Sequence, residues 1–188
     1  IDFNLISYYD NKEQIFKESV KIMFQDTNIK ALQTSPIKMI SDDWALLTAG
    51  TLDKFNTMTI SWGGVGELWG KDVAFVFVRP QRYTYGFMEE NDYFTLSFFG
   101  GDYKKELGIC GSKSGRDTDK IALTGFKPIK AGEGVTFEQA KTVFVCRKMA
   151  FQDIDPKGFL DPSIMDTYAL KDYHRMYVGA IEKVLVAE

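Results

Sequence analysis

Short segments rich in β-branched and aromatic residues follow one another from residue 36 to the C-terminus, and several of their links are only a few residues long. A strand that returns in parallel needs a crossover of a dozen or more residues, whereas a hairpin needs as few as two. The chain is therefore committed to mainly antiparallel pairing. The strand-like stretches are residues 36–40, 44–51, 57–62, 73–78, 94–99, 125–129, 135–137, 142–151 and 173–186. Residues 57–62 alternate in polarity, and residues 73–78 are continuously apolar, as in a strand buried on both faces. Strands outnumber helices and do not alternate regularly with them. The expected class is α+β, mainly β: an antiparallel barrel with peripheral helices.

Three helices are expected. Asp10 and Glu13 have capping-box spacing, and apolar residues then recur at helical intervals over 11–24. Pro80 sits just ahead of a second, over 82–90, and Asp102 is placed to cap a third, reaching about residue 109. Residues 110–120, rich in glycine, serine and charge, read as a loop, and 152–172 as a long connection. The whole chain, 1–188, is expected to be one domain, with 1–30 a helical extension and about 36–188 the barrel. A chain of 188 residues buries enough surface to hold together without disulfides or a structural metal.

The inventory excludes several chemistries. A formal net charge of −3 lacks the basic footprint of a general nucleic-acid binder. Cys110 and Cys146 form no CxxC pair, and His174 is the sole histidine, so a zinc or multi-histidine iron site has no ligand set. Both cysteines read as buried thiols. No Ser/Cys–His–Asp arrangement is recognisable, and the acidic run after Asp153 lacks the closing glutamate of a calcium loop. No apolar run approaches the ~20 residues needed to span a bilayer, and no secretory signal is visible, so a cytoplasmic protein without membrane contact is expected.

Charge is nevertheless uneven. Between residues 104 and 130 seven Lys and Arg stand against three acids, a local balance that suits a small anion. A solvated basic face accounts for it equally well. Three segments could gather around such an anion. In residues 56–63, Thr57, Thr59 and Ser61 share one strand face while Met58, Ile60 and Trp62 share the other, so a row of hydroxyls lies beside main chain. A half-exposed strand with its polar face in water has the same pattern. At Arg82 and Thr84 a helix start combines unpaired N–H groups, a guanidinium fork and a hydroxyl, the parts of a phosphate site; an ordinary proline-opened helix with surface arginines has the same residues. The loop Lys113–Ser114–Gly115 can donate to phosphate and let main chain approach closely, although it is no P-loop and, taken alone, its composition is that of a plain surface loop.

Taken in order, these pieces resemble the flavin reductase-like FMN-binding split-barrel family, which includes flavoredoxin. The resemblance rests on Asn56 to Trp62, on Arg82–Tyr83–Thr84, on Ser114–Gly115–Arg116–Asp117 followed by Lys120, and on His174 to Gly179, and it runs from about Pro36 onward. It implies a split barrel that binds FMN at the interface of a homodimer. Asn56, Thr57, Met58, Thr59, Ser61 and Trp62 would line the isoalloxazine and ribityl. Arg82 and Thr84 would hold the phosphate, with Lys113, Ser114 and Gly115 closing over it. Lys113 or main-chain N–H groups would stand near flavin N1. His174 would be the catalytic residue, beside flavin and nicotinamide, although Tyr173 stands before it where the family often has Asp. Activity would be NAD(P)H:flavin oxidoreduction, with hydride passing from NADH or NADPH to flavin N5 and a small-molecule or protein acceptor downstream. A flavoredoxin-type electron carrier and a barrel that has lost its flavin are the alternatives.

Overall fold

The computed structural model describes residues 24–188. The expected helix over 11–24 lies outside them except at Phe24, which opens a strand. The strands are β1 (Phe24–Thr27), β2 (Ala45–Thr51), β3 (Lys54–Ile60), β4 (Gly63–Leu68), β5 (Lys71–Val78), β6 (Tyr93–Phe98), β7 (Pro128–Ala131), β8 (Gly134–Phe137), β9 (Thr142–Asp153) and β10 (Arg175–Ala187). The α-helices are α1 (Tyr83–Glu90), α2 (Lys104–Ser112) and α3 (Lys120–Thr124). Every strand pairing among the described residues is antiparallel.

The main sheet runs β3-β2-β6-β9-β10-β5-β4, and β7 with β8 forms a separate hairpin. β10 is long enough to take β9 along one edge and to share the other between β5 and β1. Its register against β9 shifts at Val178/Gly179 and at Ile181/Lys183, irregularities of the kind that bend a strand. Gly179 is needed at the first of them: a Cβ there would sit 2.6 Å from the Phe94 ring.

The curled sheet encloses one apolar cluster that includes Leu47, Ile60, Val76, Phe94, Leu96, Phe144 and Tyr177. A second cluster, with Leu46, Phe99, Leu107, Cys110, Phe126 and Phe137, lies on the outer face under α2, α3 and the β7–β8 hairpin. β2 thus has both faces covered, which is why Ala45 to Gly50 are all buried. β5 was expected to be buried on both faces, but Phe75 and Phe77 on its outer side are only half-buried.

Three further expectations need correction, and a fourth gains detail. Residues 36–40 are not a strand; Lys38–Asp42 is a π-type turn closed by Asp43 N–H donating to Lys38 O at 2.9 Å. The adjacent Met39 and Ile40 are both buried, which a helical turn permits and a one-faced strand does not. Asp102 does not cap α2. Tyr103 precedes that helix at φ +60° without a side-chain cap, and Asp102 pairs with Lys141 at 2.8 Å. The loop after residue 110 is shorter than expected, because α2 runs to Ser112 and Asp119 starts α3 by accepting from the N–H groups of Ile121 and Ala122. Finally, the connection over 152–172 carries short 3₁₀ turns at Pro156–Gly158 and Pro162–Tyr168.

Candidate functional site

β3 and β4 are the two ends of the sheet path, yet only Ser61 and Trp62 separate them in the chain. They do not pair with each other, so the barrel stays open along this seam. Two hollows adjoin there. One, of about 180 Å³, is lined by Met58 to Trp62, Phe77, Arg79, Arg82 and His174. The other, of about 340 Å³, runs from Asn56 and Met58 past Arg82 and Thr84 to Lys113, Ser114, Gly115 and Lys120. They share Met58 and Arg82. Together they fall in the ~300–1,000 Å³ range usual for small-ligand sites.

The larger lobe is built for an anion. Its wall carries the cations Arg82, Lys113, Arg116 and Lys120 and, among the described residues, no carboxylate. Lys120 is 6% exposed and donates to Thr57 O at 2.8 Å and Cys110 O at 2.9 Å. Burial pulls its ammonium below the ordinary lysine range. A buried charge ordinarily requires a counter-ion, and none of the described residues supplies a carboxylate to it. The first turn of α1 opens on the same lobe behind Arg82, which makes no side-chain cap; Tyr85 N–H is taken by Arg82 O at 2.9 Å, and the N–H groups of Tyr83 and Thr84 ahead of it have no hydrogen-bond partner among the described residues. Asn56 fixes that turn to β3, its Nδ2 donating to buried Thr84 Oγ1 at 2.7 Å. The Gly115 loop lies so close over β3 that a Cβ would fall 2.1 Å from Asn56 Oδ1. Glycine is required there by close approach and not by an unusual φ.

The smaller lobe is ringed by aromatics. The His174 ring lies 5.6 Å from Trp62 and 6.4 Å from Phe77, and its Nδ1 is 2.8 Å from the Tyr168 hydroxyl. Burial first, then the positive charge of Arg79 (partly offset by Asp172), brings its pKa down to about 4, so the imidazole is neutral near pH 7. Arg79 is occupied: it pairs with Asp172 at 2.6 Å and donates to Thr167 O at 2.9 Å. Asp172 Oδ1 is buried without a hydrogen-bond partner among the described residues. No group of His, Cys, Asp and Glu among those residues is gathered to hold a metal ion.

The family model for the flavin reductase like domain matches residues 40–188. The chain belongs to the flavin reductase-like domain family. Solved structures share its fold. An FMN-binding domain of a flavin reductases-like enzyme from Shewanella baltica OS155 has a TM-score of 0.63 at 13% identity, covering 88% of this chain and 78% of that one. Flavoredoxin of Desulfovibrio vulgaris (Miyazaki F) has 0.61 at 19%, covering 87% and 78%. A protein with a split barrel domain from Shewanella frigidimarina NCIMB 400 has 0.60 at 14%, covering 84% and 76%. No curated protein sequence matches the chain. The architecture is thus the split barrel of this family, mainly antiparallel sheet with a few helices.

Of the residues singled out in the sequence of this flavin reductase-like chain, all but Thr57 line the two hollows. Thr57 is turned to the outer face it shares with Thr48 and Leu46: its hydroxyl donates to Leu47 O at 3.3 Å and accepts from Thr48 Oγ1 at 2.9 Å. Thr59 lines the smaller hollow, but its hydroxyl is taken by Leu107 O of α2. Thr57 and Thr59 therefore face the helical cover, while Ser61, in the link after β3, lines the smaller hollow. What β3 offers the hollow is its outer edge, because among the described residues it pairs with β2 alone. Sequence reasoning missed Tyr168, Arg116 as part of the cationic wall, and Lys120 as a buried charge. Lys120 had a signal in the Arg116–Asp117 segment preceding it; Tyr168, in a connection without periodicity, had none.

Proposed function

We propose that the two adjoining hollows hold one FMN and that the chain, with 36–188 as its flavin-binding domain, is a flavin reductase-like oxidoreductase served by NADH or NADPH. The observation that carries this reading is the carboxylate-free lobe of four cations opening, at Met58 and Arg82, into a lobe lined by aromatic and polar groups. The residues suit the group: a phosphate answers the uncompensated charge of Lys120, and a flat ring suits the slot between Met58, Trp62 and Phe77.

Arg82, Lys113 and the Thr84 hydroxyl would hold the phosphate, with main-chain N–H groups from Ser114, Gly115 and the start of α1. Arg116 and Lys120 add positive potential without needing direct contact. The β3 edge at Thr59 and the Ser61 hydroxyl would meet the polar rim of the ring. Bound FMN supplies hydride acceptance at N5, and the protein supplies position and electrostatics. Trp62 and Phe77 keep water from the ring face, and neutral His174 presents a nitrogen to whatever stacks there. A second copy of the chain would close the open side, where Trp62 remains 55% exposed.

The test is a visible spectrum of the purified protein after addition of FMN, then of NADH or NADPH under anaerobic conditions. Flavin bands that bleach with either nucleotide are expected. A colourless protein that ignores FMN overturns the reading. Tightly held flavin reduced only by a protein donor replaces the reductase with a flavoredoxin-type carrier.

A further inference from the structure

We infer that Tyr168 is a positioning residue that holds His174 in its Nε2–H tautomer, so that a neutral hydrogen-bond donor is turned toward the smaller hollow. The contact is direct, Tyr168 Oη to His174 Nδ1 at 2.8 Å, and the residues lie six apart in sequence. Tyr168 is 5% exposed, and its hydroxyl has no other side-chain partner among the described residues. If Nδ1 carried the ring proton, the phenol proton would be left without an acceptor in a buried place. The phenol must therefore donate to Nδ1. A neutral imidazole with an accepting Nδ1 carries its proton on Nε2.

The phenol cannot easily swing away. Phe159 stacks on its ring at 5.8 Å, Tyr173 packs at 5.0 Å, and the Arg79 guanidinium lies 5.1 Å from its centre. The aspartate that could have oriented the histidine is spent elsewhere: Asp172 binds Arg79 and Gln81. Tyr173, directly before His174, contributes packing on Tyr168. The orienting group thus sits at the end of the 3₁₀ turn Pro162–Tyr168. On the far side, His174 lines the hollow with Met58, Ser61 and Trp62. The ligand atom that suits a neutral N–H is an acceptor oxygen, such as the carboxamide oxygen of a nicotinamide. This last step rests on the proposed function; the tautomer does not.

His174 is the sole histidine, so ¹⁵N-histidine labelling gives one pair of ring nitrogens. Long-range ¹H–¹⁵N correlation on the flavin-free protein at pH 7 should show Nδ1 as the unprotonated nitrogen and Nε2 as the protonated one. In Tyr168→Phe, with no phenol left donating to Nδ1, an Nδ1–H fraction should appear beside the intrinsically favoured Nε2–H form. With FMN and nicotinamide added, the same variant should raise nicotinamide KM by about two- to tenfold, the worth of one neutral hydrogen bond, while FMN affinity is kept. A proton found on Nδ1 in the parent protein overturns the inference, whether or not the variant folds. So does a variant whose tautomer is unchanged. Neither result depends on flavin, so a failure of the proposed function would be seen separately.

Discussion

Removing Arg82 or Lys113 should separate recognition of a phosphate from recognition of a flavin ring. Arg82 lies where the two hollows meet, and its guanidinium makes one long hydrogen bond, 3.3 Å to Gly111 O. Lys113 is exposed at the C-terminal end of α2, and its ammonium makes no hydrogen bond among the described residues. Truncating either should leave the flavin-free protein within about 0.5 kcal/mol of its parent, as for most surface changes. A hydrogen bond to a charged group is worth about 1.5–3 kcal/mol, so each alanine variant should bind FMN roughly 10–150-fold more weakly. Both cations would touch one phosphate, so the double variant should lose less than the product of the single losses. Lys120 and Arg116 would still hold the lobe positive. Flavin fluorescence titration at fixed salt measures this, with riboflavin as control. Riboflavin has the ring and no phosphate, so its affinity should be the same in the parent and both variants. If both variants bind FMN within about twofold of the parent, or lose riboflavin equally, the phosphate assignment is wrong.

Three further outcomes follow from the same geometry. His174 titrates near 4 in the folded chain against 6.5 ordinarily, so the unfolded state binds more protons between those values and stability should fall as pH drops from about 6.5 to 4, by up to about 3 kcal/mol. Arg79, Arg82, Asp172 and Tyr168 face that ring, and His174→Gln should flatten the dependence in urea unfolding; an equal slope in both proteins refutes the burial argument. Gly115→Ala should displace the loop from Asn56 and weaken FMN binding more than it lowers Tm, and unchanged affinity would show the loop to be a bystander. Gly179→Ala drives a methyl into the Phe94 ring and should cost about 1–3 kcal/mol, seen as a Tm several degrees lower by calorimetry, with no such loss if the β10 irregularity can relax.

Strands were legible wherever one face alternates or both are apolar, as in β2, β5, β6 and β10. β4 was not, because Gly63–Leu68 is glycine-rich, largely exposed and defined almost wholly by its pairing with β5. Tyr103 replaced Asp102 at the start of α2 because the backbone there enters at positive φ beside two positive-φ glycines, a path that carries Asp102 out to Lys141. Such turns depend on tertiary partners that local chemistry does not name. The candidate site was legible in its membership, since segments far apart in sequence each supplied their share of the two hollows.

The hydroxyl row on β3 shows why membership was easier to read than orientation. Alternation correctly places Thr57 and Thr59 on one face, but it cannot say which face meets a ligand. Here that face meets α2 and the outer side of β2, so Thr57 binds Leu47 and Thr48 while Thr59 binds Leu107. The side open to the hollow is perpendicular to both faces: the unpaired edge of β3, where Thr57 O already accepts from Lys120. In an antiparallel ladder alternate residues direct their main-chain groups to the same edge, so Thr59 presents its N–H and C=O where Thr57 does. A ligand seated there is recognised by main chain, and side-chain substitution at Thr57 should disturb packing before it disturbs recognition. Thr57→Val, which keeps the volume and loses the hydroxyl, is expected to lower stability by about 1 kcal/mol with FMN affinity unchanged. Selective loss of affinity at full stability would return the hydroxyl to the binding surface.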